Sequence, residues 1–189
     1  GVANGRHLLE NLLNVGKKPE IEHLVCFIEH NLGGVRKIKQ SLPGKVDQAP
    51  RSADDDLRAG LCQDLGFDAA SRAENVRRAA HMARLLNDSG VHAVVALISP
   101  ATDARALAYS TIGRGRCVEV HVNTPLAVCE QRDPKGLYAR ARAAQLAQMT
   151  GVQAPYEPPE QPALRIDTSV TALPLAVDQM LACQPAPFC

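Results

Sequence analysis

Val91-His92-Ala93-Val94-Val95-Ala96-Leu97-Ile98-Ser99-Pro100 is the stretch on which the fold turns. From His92 to Ile98 it is a near-continuous apolar run rich in β-branched residues. That is the pattern of a strand buried on both faces. Ser99-Pro100 ends it. Upstream, Ala69 to Ser89 reads as a long helix carrying Arg72, Arg77, Arg78 and Arg84, with Gly90 as its stop. Before it, Asp54 to Leu65 reads as a short helix. Downstream, Thr102 to Ser110 reads as helix and Cys117 to Val122 as a second strand. Pro125 to Arg132 starts another helix, with Thr124 as N-cap and proline at the first helical position. Leu137 to Met149 is helical, Leu164 to Asp167 is a third short strand, and Thr171 to Cys183 closes the chain as a helix with Pro174 near its start. Strands alternating with such helices imply βαβ units and a parallel sheet. Right-handed crossovers then place helices on both faces. Ligands of such sheets bind beyond the C-terminal strand ends, which directs attention to Ser99, Asn123 and Asp167.

Bulk properties narrow the function classes. The 189 residues suit one domain with a real core, and 46% of them are apolar. Aromatics are only 3% with no tryptophan, so the core is aliphatic and base-stacking platforms are not expected. The 21 Lys plus Arg nearly cancel the 20 Asp plus Glu, so no global field recruits nucleic acid or anionic membrane. The longest strongly apolar run, Val91 to Ile98, is far too short to span a bilayer, and no basic-then-apolar leader is seen; a cytoplasmic address is expected. The six cysteines form no C-x-x-C pair and read as free thiols, mostly buried. Residues 1 to about 50 differ in character. His7 to Leu13 and Ile21 to His30 have helical spacing, but glycines and prolines interrupt them.

Four segments carry chemistry. The first is Asp54-Asp55-Asp56-Leu57-Arg58, where a run of carboxylates either positions a metal or accepts a proton, or else caps a helix N-terminus. The second is Asp64-Leu65-Gly66-Phe67 followed by Arg72-Ala73-Glu74-Asn75-Val76-Arg77-Arg78. Arg72 and Asn75 share a helix face and suit either a phosphate- or sulfate-like group beside a ribose or base edge, or surface ion pairs. The third is Ile98-Ser99-Pro100. The fourth is Arg132-Asp133-Pro134-Lys135-Gly136-Leu137-Tyr138, continuing through Ala141-Arg142-Ala143 to Thr150-Gly151 and Tyr156-Glu157. Its basic residues around a Pro-Gly turn read as a mobile anion-clamping lid or as a solvated loop.

In order and spacing, these segments resemble the adenylylsulfate kinase family from about Asp54 to Cys183. The resemblance implies an α/β fold: a three-layer, P-loop-kinase-like parallel sheet with helices on both faces. It implies transfer of the γ-phosphate of ATP, with Mg2+, to the 3′-hydroxyl of adenylylsulfate, giving PAPS. Matched residue by residue, Asp55 is the acidic group near the 3′-hydroxyl and the magnesium. Arg58, Phe67, Arg72 and Asn75 hold adenylylsulfate. Ile98 and Ser99 contact substrate after the central strand, the serine being able to carry phosphate in some members. Lys135 and Leu137 belong to the lid, and Arg132 lies on the ATP side. Asp55, Ser99 and Lys135 are thus the expected catalytic residues. A homodimer, or pairing with an intact kinase, is the partner expectation.

The chain departs from the family upstream. The family has G-x-x-x-x-G-K-S/T about 30 residues before its D-G-D-N/D motif. Here the two Gly-Lys pairs, Gly16-Lys17 and Gly44-Lys45, are followed by Lys18 and Val46, and neither has the required earlier glycine. Without that loop no backbone nest surrounds the ATP phosphates. Residues 1–52 are therefore expected to be atypical, helical or irregular, and residues 53–189 to form a truncated kinase-like domain with impaired catalysis. A non-catalytic binder, or a degenerate or frameshifted product, is the alternative. Ala53-Asp54-Asp55-Asp56 alters the acidic motif. Met149 stands for a usual phenylalanine that stacks on a base, and Ala144 for a usual glycine in the lid helix.

Overall fold

The computed structural model describes residues 57–91, 93–133 and 136–183. A helical turn ends at Ala59. Then follow α1 (Ala69–Asp88), α2 (Thr102–Ile112), a 3-10 turn (Arg114–Arg116), β1 (Val120–Val122), α3 (Leu126–Arg132), α4 (Leu137–Arg142), β2 (Leu164–Ile166) and α5 (Leu173–Ala182). Strands β1 and β2 pair in parallel, Val120 opposite Leu164 and Val122 opposite Ile166. This is the sense expected of crossover-linked strands.

Residues 93–98 are buried or half-buried, but among the described residues they take part in no sheet ladder. The expectation of a sheet strand here is corrected to that extent. A ladder needs a hydrogen-bonded neighbour, whereas two-sided burial needs only an extended backbone. The side chains still alternate. Val94 and Ala96 join Val118, Val120, Val122 and Ile166 against Ala176, Val177 and Met180 of α5. Ala93, Val95 and Leu97 face the other way, onto Val76, Ala79, Ala80 and Ala83 of α1 and Ala104, Ala108 and Ile112 of α2. Two cores on opposite faces of one extended layer make the three-layer α/β arrangement. Alanines dominate the second core, which lets α1 and α2 approach closely.

Helix α1 begins where Asp68 accepts the Ser71 N–H at 3.0 Å, an N-cap bond that satisfies one orphan donor. Two other helices depart from expectation. Thr124 does not cap α3, which has no side-chain cap. Its hydroxyl instead lies 2.7 Å from the Thr168 hydroxyl and accepts the Thr168 N–H at 3.1 Å. Helix α4 stops at Arg142 rather than running to Met149, because the backbone turns left-handed at Ala144. Cys62, Cys117 and Cys129 are buried free thiols and Cys183 is a half-buried one, as expected for those four. No helix among the described residues is long and apolar enough to cross a membrane.

Candidate functional site

Beyond the end of the 93–98 segment a small cleft opens, lined by Arg58, Arg72, Asn75, Val76, Leu97, Ile98, Ser99 and Pro100. Five of the residues singled out from sequence meet there: Arg58, Arg72, Asn75, Ile98 and Ser99. They come from three segments of the chain. The first two turns of α1 fix Arg72 and Asn75 on one helix face. The short helical turn brings Arg58, and the chain reversal at Ser99-Pro100 brings the rest.

Each arginine is aimed by backbone carbonyls. Arg58 Nη1 donates to the Gly66 carbonyl at 2.9 Å. Arg72 Nε donates to the Phe67 carbonyl at 2.7 Å, and its Nη2 to the Gln148 carbonyl at 2.7 Å. The Phe67 ring sits 4.5 Å from the Arg58 guanidinium and 5.9 Å from that of Arg72, a cation–π arrangement. Phe67 itself is 59% exposed. Ser99 is 2% exposed, its backbone φ is 44°, and its buried hydroxyl has no hydrogen-bond partner among the described residues. A buried hydroxyl without a partner carries a desolvation cost that a ligand would relieve.

Within Arg72-Ala73-Glu74-Asn75-Val76-Arg77-Arg78 the charges divide. Arg77 donates to Glu74 at 2.6 and 2.7 Å, and Arg78 at 2.8 Å. These two arginines, Arg77 first, pull the Glu74 carboxyl from 4.5 down to about 2. Arg78 also grips Asp64 at 2.6 and 2.8 Å and the Leu61 carbonyl at 2.8 Å. That bond is the main reason the Asp64 carboxyl is held below its ordinary range. The motif thus divides: Arg77 and Arg78 are in ion pairs, while Arg72 and Asn75 line the cleft.

Beside the cleft, sharing Arg72 and Pro100, lies a mainly apolar cavity of about 300 Å³ whose wall includes Asp68, Gln148, Thr150 and Glu157. Together the two spaces suit a ligand with an anionic and an apolar end.

Leu137 and Arg132, expected at the lid and on the ATP side, line neither of these two spaces. Leu137 packs with Cys129, Tyr138, Ala141 and Met149 in a separate small core. Met149, 9% exposed, fills that core. Arg132 donates to the Thr168 hydroxyl at 2.7 Å and carbonyl at 2.9 Å, beyond the end of β2. Asn123 donates its N–H to the Ile166 carbonyl at 2.7 Å, extending the strand pair. Asp167 accepts the Ser169 N–H at 2.7 Å. Asp55 and Lys135 lie outside the described residues. Sequence reading passed over Arg105 and Glu119. Their signal was a charged residue on the otherwise apolar stripe of Ala104, Ala108 and Ile112, and another among the valines of residues 118–122.

The fold is of the P-loop-kinase α/β class, with a cleft lined by two arginines where the central segment ends. Residues 36–167 match the sequence model of the adenylylsulphate kinases, and the chain belongs to that family. It is 42% identical over 151 residues to an adenylyl-sulfate kinase of Aeromonas hydrophila, covering 76% of this chain and 77% of that one. It is 46% identical over 127 residues to the Bacteroides thetaiotaomicron adenylyl-sulfate kinase, covering 67% of this chain and 63% of the relative. The chain thus spans less than two thirds of that second relative. The APS kinase CysC of Mycobacterium tuberculosis, solved in complex with AMPPNP and APS, superposes with a TM-score of 0.66 at 43% identity, covering 69% of this chain and 76% of that structure.

Proposed function

We propose that the cleft binds adenylylsulfate, as the substrate half-site of a kinase that forms PAPS from adenylylsulfate and ATP. The observation that carries this is the convergence of Arg58, Arg72, Asn75, Ile98 and the buried Ser99 hydroxyl on one cleft. Two guanidinium groups suit the charged oxygens of a sulfate–phosphate anhydride, which planar forks hold by paired hydrogen bonds. The adjoining apolar cavity offers room for the nucleoside end.

Phosphoryl transfer is mostly positioning and charge neutralisation. The protein groups described here serve the first task. They hold the acceptor nucleotide; the family resemblance adds Asp55 as the acidic residue for its hydroxyl, and Lys135 and Leu137 as lid residues. Arg132 contributes on the ATP side. Among the described residues no group of three or more His, Cys, Asp or Glu is placed to hold a metal ion, and Asp55 lies outside them. ATP, when bound, supplies the γ-phosphate. The 189 residues contain no G-x-x-x-x-G-K-S/T loop to hold it, so transfer by this chain is strongly impaired. The same fact favours a second reading: a binder of adenylylsulfate that is not itself catalytic and pairs with an intact kinase.

Calorimetry with adenylylsulfate alone tests the half-site. Saturable binding near one per chain is expected, together with thermal stabilisation. Absence of both heat and stabilisation removes the reading. A coupled assay with ATP and Mg2+ then separates the two readings of activity. PAPS formation close to that of a complete family member would show that the chain holds ATP by other groups.

A further inference from the structure

Arg105 is 4% exposed, on the buried stripe of α2. A guanidinium there is costly unless its donors are met. They are met by three segments of chain. Nη1 donates to the Ser99 carbonyl at 2.7 Å, and Nη2 donates to the Glu157 carbonyl at 2.7 Å and the Thr102 hydroxyl at 3.1 Å. Nε lies 3.2 Å from Glu119 Oε1, and the guanidinium stands 5.9 Å from the Tyr156 ring. The Glu119 carboxylate is buried in turn and lies 3.2 Å from the Tyr109 hydroxyl, which donates to it. Burial pushes the Glu119 carboxyl above its ordinary range, with Arg105 opposing.

The Ser99 carbonyl belongs to the one residue of the cleft with left-handed backbone, φ 44°. For an L-residue with a side chain that conformation is strained, and it persists only where the surroundings impose it. Here they do so on both sides of the turn. Glu157 donates its N–H to the Pro100 carbonyl at 2.9 Å, and its carboxylate accepts the Thr102 N–H at 2.7 Å. Arg105 holds Ser99 and Glu157 at once, so one guanidinium locks the turn to the segment that braces it.

We infer that Arg105 is a positioning residue of the cleft: it holds the Ile98–Pro100 turn in the shape that buries the Ser99 hydroxyl at the cleft wall, with Glu119 as its counter-charge and Glu157 as its brace. The inference rests on adenylylsulfate as the occupant. Arg105 does not line the cleft and takes no part in the chemistry. An apolar pair of equal volume would serve stability as well as a buried ion pair does. A fork directed at two carbonyls is what such a pair lacks.

The test uses the full chain with Arg105→Met and Arg105→Lys. In calorimetry with adenylylsulfate, Arg105→Met binds at least about tenfold more weakly than the unaltered chain. Arg105→Lys falls between, because one ammonium does not reproduce the planar fork. Unchanged affinity in both variants, with only the Tm lowered, reduces Arg105 to a stability role and overturns the inference. If the unaltered chain gives no heat, the proposed occupant fails and hydrogen exchange decides this inference without ligand. Arg105→Lys then speeds exchange in peptides covering 97–103 and 156–158, while α5 keeps its protection. Uniform change, or none, overturns it. If Arg105→Met does not fold, Arg105→Lys is read alone in both measurements.

Discussion

The turn at Ser99 and the end of α4 both pass through left-handed backbone without glycine, yet they are held in different ways. Ser99 has φ 44° and is 2% exposed, and Arg105 and Glu157 fix the carbonyls on either side of its turn. Ala144 has φ 55°, is exposed, and is held by the chain next to it. Its N–H donates to the Ala141 carbonyl at 3.1 Å, while the Gln145 N–H donates to the Arg140 carbonyl at 2.9 Å. Those two bonds are the Schellman closure of a helix end, in which the left-handed residue is usually glycine. Strain imposed by distant buried groups marks the cleft; strain imposed by a helix end marks only a helix end. Gln148, φ 62°, joins the two regions, since its carbonyl receives Arg72.

The largest effect is expected at that junction. Arg72→Met removes a cleft guanidinium and its bond to Gln148, and is expected to weaken adenylylsulfate binding about 100-fold by calorimetry, the worth of one or two charge-assisted hydrogen bonds. A loss under about threefold would mean the anion is held by other groups. The cleft would then no longer be set apart from the lid by function.

A smaller effect separates the regions by pH. Glu74 is held down to about 2 from 4.5, by Arg77 first and Arg78 second. Its folded pKa lies below the unfolded one, so its contribution is complete above 4.5 and is lost as pH falls toward 2. Through Arg78 it braces Asp64 and the Leu61 carbonyl, hence the segment that carries Arg58. Tm should decline across that window, and Glu74→Gln should flatten the decline while costing little at neutral pH, because the network is partly exposed and screened. An acid slope identical in Glu74→Gln and the unaltered chain would assign the loss to other carboxylates.

Much of this was legible in the sequence, for physical reasons. The helices α1, α2, α3 and α5 follow from apolar spacing and breakers such as Gly90, which has φ 76°. Two-sided burial of 93–98 follows from its unbroken apolar run, but ladder pairing does not, because it depends on a neighbour that no local pattern specifies. The cleft arginines were legible because their spacing matches a family. Their division from Arg77 and Arg78 was not, because it depends on where Glu74 points. Arg105 was missed because its partners, Ser99, Glu119 and Glu157, are brought together only by the packing of α2 on the extended layer. The early end of α4 was the reverse case: the departure from a usual glycine at Ala144 was visible, but its backbone angle was not.

That angle makes the smallest prediction and sharpens the contrast most. Ala144→Gly removes left-handed strain worth roughly 1 kcal/mol and gives back about half of it as extra unfolded-state entropy. Urea unfolding should therefore show a gain of about 0.5 kcal/mol, with adenylylsulfate affinity unchanged. Ser99→Gly relieves the same kind of strain but also removes the cleft hydroxyl and frees the turn. Stability should again hold or rise, while affinity falls about tenfold. The two glycines thus act alike on the fold and unlike on the ligand. If Ser99→Gly left binding intact, the left-handed turn at the cleft would be a packing consequence of the same kind as the one at the helix end. If Ala144→Gly weakened binding, the end of α4 would belong to the ligand site after all.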